Sequence, residues 1–351
     1  MLSPSLEEID GDVRTMGSRI VVANRVDPDV LTRLGALGPV FMNPDIEPFS
    51  PDALRAQCRD AAAVMAFMTE RIDAAFLEAC PGLRIVGGAL KGYDNLDVAA
   101  CTARGVAVSI VPDLLTEPTA ELAVGLMIAL TRKMRAGDAY VRSGQFAGWR
   151  PHLYGGSLQH AVVGVIGAGA VGREILRLLS GFRGRRIYHD THELDRESQR
   201  TVHADHVPLD TLVDTADFIV LAVPLTPATT GLVDDTFLAR MKAGACLINP
   251  ARGSLVDEAA VAAALDSGHL GGYAADTFAM EDWAREDRPR DIHPGLLASD
   301  KTVLTPHIGS AVVDVRRAIV QSAADSIIAV LQGQVPNTLV NPDALRIARV
   351  C

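Results

Sequence analysis

The sequence has 351 residues, of which 48% are hydrophobic and 22% are charged, and its formal net charge at pH 7 is −10. This length is enough for two ordinary globular domains, each with its own core. The negative net charge argues against nucleic acid as a partner, although a local basic pocket can still hold a small anion. We therefore expect two domains and a small-molecule partner.

Five cysteines, an odd number, are scattered along the chain without a C-x-x-C pair. This usage predicts reduced thiols and no zinc site built on thiolates. Residues 1–17 are a polar leader without the apolar core of a signal peptide, and we expect them to be disordered. No later stretch combines membrane-spanning length with the absence of charge. The expected location is the cytoplasm, with no membrane partner.

The first half of the chain alternates between strand and helix patterns. The predicted strands are 19–23, 63–67, 83–87 and 106–111. Pro112 and Pro118 then precede a long, mostly apolar helix expected at about 119–135. This alternation predicts a first α/β domain that ends near the two prolines.

A second alternating series follows the long helix. Its predicted strands are 161–166, 185–189, 218–223, 245–249, 272–276 and 302–305, enough to complete a doubly wound sheet. The helical pattern at 311–332 has no strand left to serve there, so we assign it to the first domain. The predicted domains are 18–112 with 310–351, and 113–309. The fold class is α/β, with two Rossmann-like doubly wound domains, the first discontinuous, and the active site in the cleft between them.

Gly167, Gly169 and Gly172 lie where the first strand of the second series runs into a helix. Gly167 permits the tight turn, Gly169 lets backbone N–H groups approach a pyrophosphate, and Gly172 lets the helix pack closely on the sheet. Asp190, after the next strand, would accept hydrogen bonds from the ribose hydroxyls of NAD and repel the 2′-phosphate of NADP. The glycines alone are a weak signal, but their strand–helix–strand context predicts an NAD site in domain 113–309. The domain formed by 18–112 and 310–351 is then expected to bind the substrate.

Three chemically active residues follow predicted strands of the second series: Arg252, Glu281 and His307. A guanidinium can hold an oxyanion through two hydrogen bonds, a histidine can move a proton, and a carboxylate can orient its ring. Taken singly, each is more often a solvated or structural residue, but together behind a dinucleotide motif they predict a catalytic site. His203 and His206 lack further ligands at metal-binding spacing, so we interpret them as surface residues and predict no metal.

Four groups of residues in this sequence resemble the NAD-dependent D-2-hydroxyacid dehydrogenases in order, spacing and identity. The matching segments are 164–172, 249–253, Asp276 with Glu281, and 306–310, and the likeness covers nearly the whole chain after residue 18. Within that family, the greatest similarity is to the branch that oxidises phosphite (phosphonate). It is carried by residues 66–68, 89–95, 143–144 with Trp149 and Tyr154, and 281–285 leading into 287–290. The resemblance implies hydride transfer from phosphite to NAD. Oxidation of a 2-hydroxy acid is the alternative, and a non-catalytic NAD-binding sensor or corepressor is a third.

Lys91 separates the first two of these alternatives. The monoanionic carboxylate of a hydroxy acid is served by one arginine and backbone N–H groups, whereas phosphite is a dianion near neutral pH. A second cation opposite Arg252 would balance that charge, at roughly 4 kcal/mol per contact pair at an intermediate dielectric before desolvation is subtracted. The other interpretation is that Lys91 extends from a loop into solvent.

The resemblance implies further contacts. The additional substrate residues are Gly92, Met68, Trp149, Tyr154 and Arg316. The implied cofactor residues are Lys91, Thr119, Gly167, Gly169, Ala170, Val171, Gly172, Asp190, Ala222, Val223, Pro224, Ala251, Asp276, His307 and Ser310. Met68 could instead be core packing, and the two aromatic residues could be interface anchors. We expect a homodimer built on the helix after Pro118 and the arm through Trp149.

Overall fold

The computed structural model describes residues 18–111 and 113–347, so the predicted leader at 1–17 and residues 112 and 348–351 lie outside the described part. The described residues separate into two compact units. The first contains 18–90, 97–110 and 320–347, and the second contains 91–96, 111 and 113–319. Residues 91–96 and 310–319, which the sequence analysis grouped with the first domain, group here with the second unit. The predicted domain boundaries therefore stay predictions.

The first unit is built on a parallel sheet of five described strands, in the order β2-β1-β3-β4-β5. The strands are β1 Ile20–Val22, β2 Val40–Met42, β3 Ala63–Ala66, β4 Ile85–Gly88 and β5 Ala107–Ser109. The helices between them are α1 Pro28–Gly35, α2 Pro51–Cys58, α3 Ala74–Ala79 and α4 Val98–Ala103. Every residue of β1, β3, β4 and β5 is buried, as expected for parallel strands covered on both faces.

The second unit is built on a parallel sheet of seven described strands, in the order β12-β11-β10-β9-β6-β7-β8. The strands are β6 Val162–Ile166, β7 Arg185–His189, β8 Asp205–His206, β9 Phe218–Leu221, β10 Cys246–Asn249, β11 Gly272–Ala275 and β12 Thr302–Leu304. The helices are α5 Thr116–Thr131, α6 Met134–Arg142, α7 Ala170–Leu178, α8 Arg196–Val202, α9 Leu209–Thr215, α10 Asp235–Arg240, α11 Glu258–Asp266 and α12 Pro294–Ala298. Two further helices follow in the chain: α13 Val313–Leu331 runs from the second unit into the first, and α14 Ala344–Ile347 belongs to the first unit.

Strand order in the second unit reverses at β6, which pairs with β7 on one side and β9 on the other. Open parallel sheets bind ligands at the carboxyl ends of their strands beside such a reversal. Separate apolar cores cover the sheet. One includes Met127 of α5 and Ile175 of α7, and the other includes Leu212 of α9 and Leu265 of α11. The sheet is thus fixed by packing, while its carboxyl edge is available for chemistry.

Two α/β units with parallel sheets confirm the predicted fold class. All ten predicted strands are present, with ends shifted by no more than two residues. The sequence analysis missed β2, whose residues are only half-buried, and the two-residue strand β8. None of the described helices is both long and apolar enough to cross a membrane.

Two predictions made for the second unit were wrong in detail. The helix expected at 119–135 is divided, because Lys133 adopts a left-handed backbone conformation with φ of 52° between α5 and α6. His203 is exposed, but His206 is half-buried in β8, where its Nε2 atom lies 3.2 Å from the backbone oxygen of Asp190. A two-residue strand carries too little alternation to be detected from sequence.

Candidate active site

The glycine-rich turn after β6 leaves open space at the amino end of α7. A Cβ atom at Gly167 (φ 98°) would lie 2.5 Å from the carbonyl oxygen of Ala222, and one at Gly172 would lie 1.9 Å from that of Gly167. Gly169, which caps α7, has no heavy atom within 4 Å of the corresponding position. The first N–H groups of a helix lack partners within it and favour an anion. The open side at Gly169 therefore fits a pyrophosphate.

Asp190 lies at the end of β7 against this turn. Its Oδ2 atom accepts a hydrogen bond from the N–H of Ala168 at 2.7 Å, and Oδ1 accepts from the N–H of His192 at 3.1 Å and the hydroxyl of Thr191 at 3.2 Å. Partial burial raises the pKa of Asp190, but these hydrogen bonds outweigh it and hold the pKa below its usual value. A carboxylate has about four acceptor positions, so the ionised group retains capacity for a ribose hydroxyl.

The other residues implied for the cofactor follow the carboxyl ends of neighbouring strands. Ala222, Val223 and Pro224 come after β9, Ala251 after β10 and Asp276 after β11. Thr119 in α5 approaches Gly309, since its hydroxyl would lie 3.3 Å from a Cβ atom there. These positions all belong to the second unit.

Asp276 organises the loop that carries His307. Its side chain, which is 1% exposed, accepts hydrogen bonds from the Thr305 hydroxyl at 2.6 Å and from the N–H groups of Ile308 and Gly309 at 2.8 and 2.7 Å. Its carbonyl oxygen also accepts from the N–H of His307 at 2.8 Å. Burial raises the pKa of Asp276 although these donors oppose the rise. The loop therefore holds His307 in the left-handed region, with φ of 54°.

Glu281 and His307 form a direct pair. The Nδ1 atom of His307 lies 2.8 Å from Oε2 of Glu281, and the two side chains are 25% and 26% exposed. The second oxygen of Glu281 accepts the N–H of Phe278 at 2.7 Å, which fixes the carboxylate against its own turn. With a proton on Nδ1 donated to Glu281, Nε2 is the ring atom that can accept another proton.

Arg252 begins the turn after β10. Its Nε donates to Oδ1 of Asp94 at 3.0 Å, and its Nη1 donates to the carbonyl oxygen of Ala251 at 2.9 Å. A Cβ atom at position 92 would lie 2.0 Å from Nη2, so Gly92 is required for the close approach of loop 91–96 to the guanidinium. Arg252 is thus fixed with Nη2 beside the backbone of this loop.

Lys91 precedes Gly92 in that loop. Its ammonium donates to the Thr116 hydroxyl at 3.1 Å and to Oδ1 of Asp113 at 3.4 Å. The Asp113 side chain is 82% exposed and that of Lys91 is 31% exposed, so this ion pair is weak and easily exchanged. In the structure, the hydrogen-bond partners of Lys91 therefore lie near the start of α5. The sequence analysis had expected the Lys91 ammonium to face Arg252.

The remaining predicted substrate residues have different surroundings. Met68 belongs to the first unit and is half-buried. Trp149 and Tyr154, between α6 and β6, are 75% and 68% exposed. Arg316 at the start of α13 donates to the Ser310 hydroxyl at 3.4 Å, and its burial lowers the pKa of the guanidinium. Arg316 is thus a cation that shares the second unit with Arg252 and Lys91.

Sequence reasoning missed two acidic residues of this region. Asp94 is the ion-pair partner of Arg252, and Asp282 is a buried carboxyl group, 1% exposed. Each is close in sequence to a residue that the sequence analysis selected. In a charged segment, however, the sequence does not distinguish a buried carboxylate from an exposed one. Among the described residues, no group of three or more histidine, cysteine or acidic side chains could hold a metal ion.

Residues 124–309 match the family model described as D-isomer specific 2-hydroxyacid dehydrogenase, NAD binding domain. The chain belongs to this family. It is 33% identical over 339 residues to a glyoxylate reductase of Thermococcus onnurineus, an alignment that covers 95% of this chain and 99% of the relative. The residues that match this NAD-binding model all lie in the second unit, and the protein is an NAD-dependent oxidoreductase, as the glycine turn predicted.

Solved structures of similar proteins match nearly the whole chain. The TT0316 protein from Thermus thermophilus is 32% identical, with a TM-score of 0.82 over 92% of this chain and 99% of that one. An NADPH-dependent glyoxylate/hydroxypyruvate reductase from Sinorhizobium meliloti, solved with NADP and malonate, is 29% identical, with a TM-score of 0.80 over 93% of this chain and 98% of that one. The likeness therefore spans both units.

Proposed function

We propose that this member of the family oxidises phosphite (phosphonate) to phosphate with NAD. The observation that carries the proposal is Lys91, a cation placed directly before the glycine that packs against Arg252. The segments around it, 89–95 and 281–290, are also those that resemble the phosphite-oxidising branch of the family. Membership of the family does not determine the substrate, so the proposal depends on the charged groups of the site.

The cations of the second unit suit a dianion better than a monoanion. Arg252 presents Nη2 next to Gly92, Lys91 directly precedes Gly92, and Arg316 is partly desolvated beside Ser310. The ion pair of Lys91 with an exposed carboxylate costs little to break, which leaves the ammonium available when an anion arrives. Three cations can balance the two charges of phosphite together with the acidic groups nearby, whereas a carboxylate needs one.

NAD, when bound to the glycine turn and Asp190, supplies the hydride acceptor for this chemistry. In phosphite oxidation, a water oxygen forms a bond to phosphorus while the P–H bond breaks with its electron pair. His307 accepts the proton of that water at Nε2, because Nδ1 is engaged with Glu281. Glu281 stabilises the resulting imidazolium, and Arg252 and Lys91 hold the phosphite oxygens in position.

A second candidate is the interconversion of a 2-oxo acid and a D-2-hydroxy acid. It is favoured by the comparisons, since relatives of nearly full length are named glyoxylate reductases, and these findings support it better than they support phosphite oxidation. In this reaction His307 would exchange the proton of the hydroxyl group and Arg252 would bind the carboxylate. The same machinery serves both reactions, so the substrate must be decided by measurement.

The proposal includes a homodimer. Large apolar side chains are exposed along α6 and the following arm of the second unit. They are Met134, Val141, Phe146, Trp149 and Tyr154, with exposures from 50% to 75%. An apolar surface of this kind is typical of an interface between protein chains.

Replacement of Lys91 tests the role of the second cation. In Lys91→Ala we expect the KM for phosphite to rise about tenfold or more, with a smaller loss of kcat, because the cation acts mainly in binding the dianion. Initial rates of NADH formation at saturating NAD provide the measurement. The matched control is Lys242→Ala, which removes a lysine paired with Asp217 before β9. Equal KM values in the two variants would remove the residue-level reason for preferring phosphite.

A further inference from the structure

Two short turns pack against each other at the carboxyl edge of the seven-stranded sheet. One is the 3-10 turn Gly253–Leu255, which Arg252 precedes, and the other is the 3-10 turn Ala279–Glu281. A Cβ atom at Gly253 would lie 1.8 Å from the carbonyl carbon of Phe278 and 2.0 Å from the nitrogen of Ala279. The backbones are therefore in direct contact, so a shift of one turn displaces the other.

Asp282 connects the two turns. Its Oδ2 atom accepts a hydrogen bond from the N–H of Ser254 at 2.6 Å, and its side chain is 1% exposed. Its Oδ1 atom has no hydrogen-bond partner among the described residues. Burying a carboxyl group with an unsatisfied oxygen is costly, and general packing of the turn could be served by an apolar side chain. The acidic group is thus a feature that stability alone does not account for.

Asp282 and Glu281 are adjacent in sequence and bind two different parts of the site. Glu281 holds the ring of His307, while Asp282 holds the turn that begins at Arg252. Asp282 also lies within electrostatic range of Arg252 and Asp94, and Asp94 binds Nε of Arg252. The main chain after Arg252 and the guanidinium at its tip are therefore held by two different carboxylates.

We propose that Asp282 is a positioning residue that fixes Arg252 relative to His307. This inference rests on the proposed role of Arg252 in binding the substrate anion, and it holds equally for phosphite and for a 2-oxo acid. Asp282 acts through the N–H of Ser254, which sets the backbone of the turn and hence the point from which the guanidinium reaches the anion. The Glu281–Asp282 dipeptide then sets the spacing between the proton acceptor and the anion-binding group.

The first test compares Asp282→Ala, Asp282→Asn and the control Asp287→Ala. Asp287 lies in the same segment but is 73% exposed and pairs with Arg285. The substrate is whichever of phosphite or glyoxylate the wild type turns over, so failure of phosphite as substrate does not affect this test. We expect Asp282→Ala to raise the substrate KM about tenfold, and Asp282→Asn, which keeps an acceptor oxygen for Ser254, to stay within about threefold of wild type. The KM for the nicotinamide cofactor and the pH profile of kcat should not change in either.

A double-mutant cycle with Arg252→Lys distinguishes positioning from general support of the fold. If Asp282 acts through Arg252, Asp282→Ala should raise the substrate KM less than about twofold in the Arg252→Lys background. An undiminished tenfold effect there would overturn the proposal, as would a substrate KM in Asp282→Ala no higher than in Asp287→Ala. A matching rise in the cofactor KM would also overturn it, since that would indicate general loosening. If Asp282→Ala does not fold, Asp282→Ser replaces it, because serine is also small and lacks the carboxylate that accepts the N–H of Ser254.

Discussion

His307 has a backbone conformation that would be unfavourable without its neighbours. A non-glycine residue in the left-handed region costs about 1–3 kcal/mol and persists only where the surroundings over-determine it. Here Asp276 accepts the N–H groups of His307, Ile308 and Gly309, while Glu281 holds the ring. We infer that these interactions offset the strain and present Nε2 in one direction.

Loss of the imidazole should affect the chemical step more than binding. In His307→Ala we expect kcat to fall by about two to four orders of magnitude, the usual range for a positioned proton carrier. Binding of NADH, measured by fluorescence titration, should change little because the glycine turn and Asp190 are intact. A variant with nearly normal kcat would show that another group accepts the proton.

Asp190 is expected to decide between the two nicotinamide cofactors. Its carboxylate would oppose the 2′-phosphate of NADP, so Asp190→Ala should narrow the preference for NAD by removing that repulsion. The measurement is the ratio of kcat/KM for NAD to that for NADP, compared with the same ratio for the wild type. An unchanged ratio in the variant, or a wild type that uses both cofactors equally, would contradict this role. The cofactor preference needs this measurement because one structural relative is NADPH-dependent.

At the scale of elements, strands in the sheet interiors could be predicted and marginal strands could not. β3, β4 and β9 are runs of fully buried residues, and burial on both faces forces continuous apolar sequence. The edge strand β2 is half-buried and therefore has a mixed pattern. The division between α5 and α6 was missed because Lys133, at φ of 52°, stands where a helix end more commonly has glycine.

The site was predictable to the extent that its residues follow strand ends. Arg252, Glu281 and His307 were found because parallel strands end at one edge of the sheet. Asp94 and Asp282 were not found, because their roles depend on which loop packs against Arg252, and sequence does not show that contact. The partners of Lys91 near α5 were unpredictable for the same reason.

The arm after α6 leads to a prediction about assembly. Its exposed apolar side chains, together with those of α6, should be covered by the same surface of a second copy, because closed two-fold pairing is the commonest way to bury such a face. Sedimentation velocity at micromolar concentration should give a dimer. Replacing Trp149 and Phe146 with serine should shift the protein toward monomer, whereas a monomeric wild type would refute the assembly.

At the scale of the whole molecule, a negative net charge coexists with three cations of the candidate site. The chain carries a formal charge of −10, yet Arg252, Lys91 and Arg316 all belong to the second unit. An acidic protein can attract a small anion only through such a local group of cations. The substrate should therefore be recognised at short range, with binding weakened by added salt less steeply than for a protein of positive net charge.

The most direct test of the central claim is to compare substrates with the wild-type enzyme. Absorbance of NADH would be followed with phosphite and NAD in one direction, and with D-glycerate and NAD or glyoxylate and NADH as the alternatives. We predict that kcat/KM for phosphite exceeds that for each 2-hydroxy or 2-oxo acid. Equal or faster turnover of a hydroxy or oxo acid, or no reaction with phosphite, would contradict the proposal and leave the interconversion of 2-oxo and D-2-hydroxy acids as the function of this site.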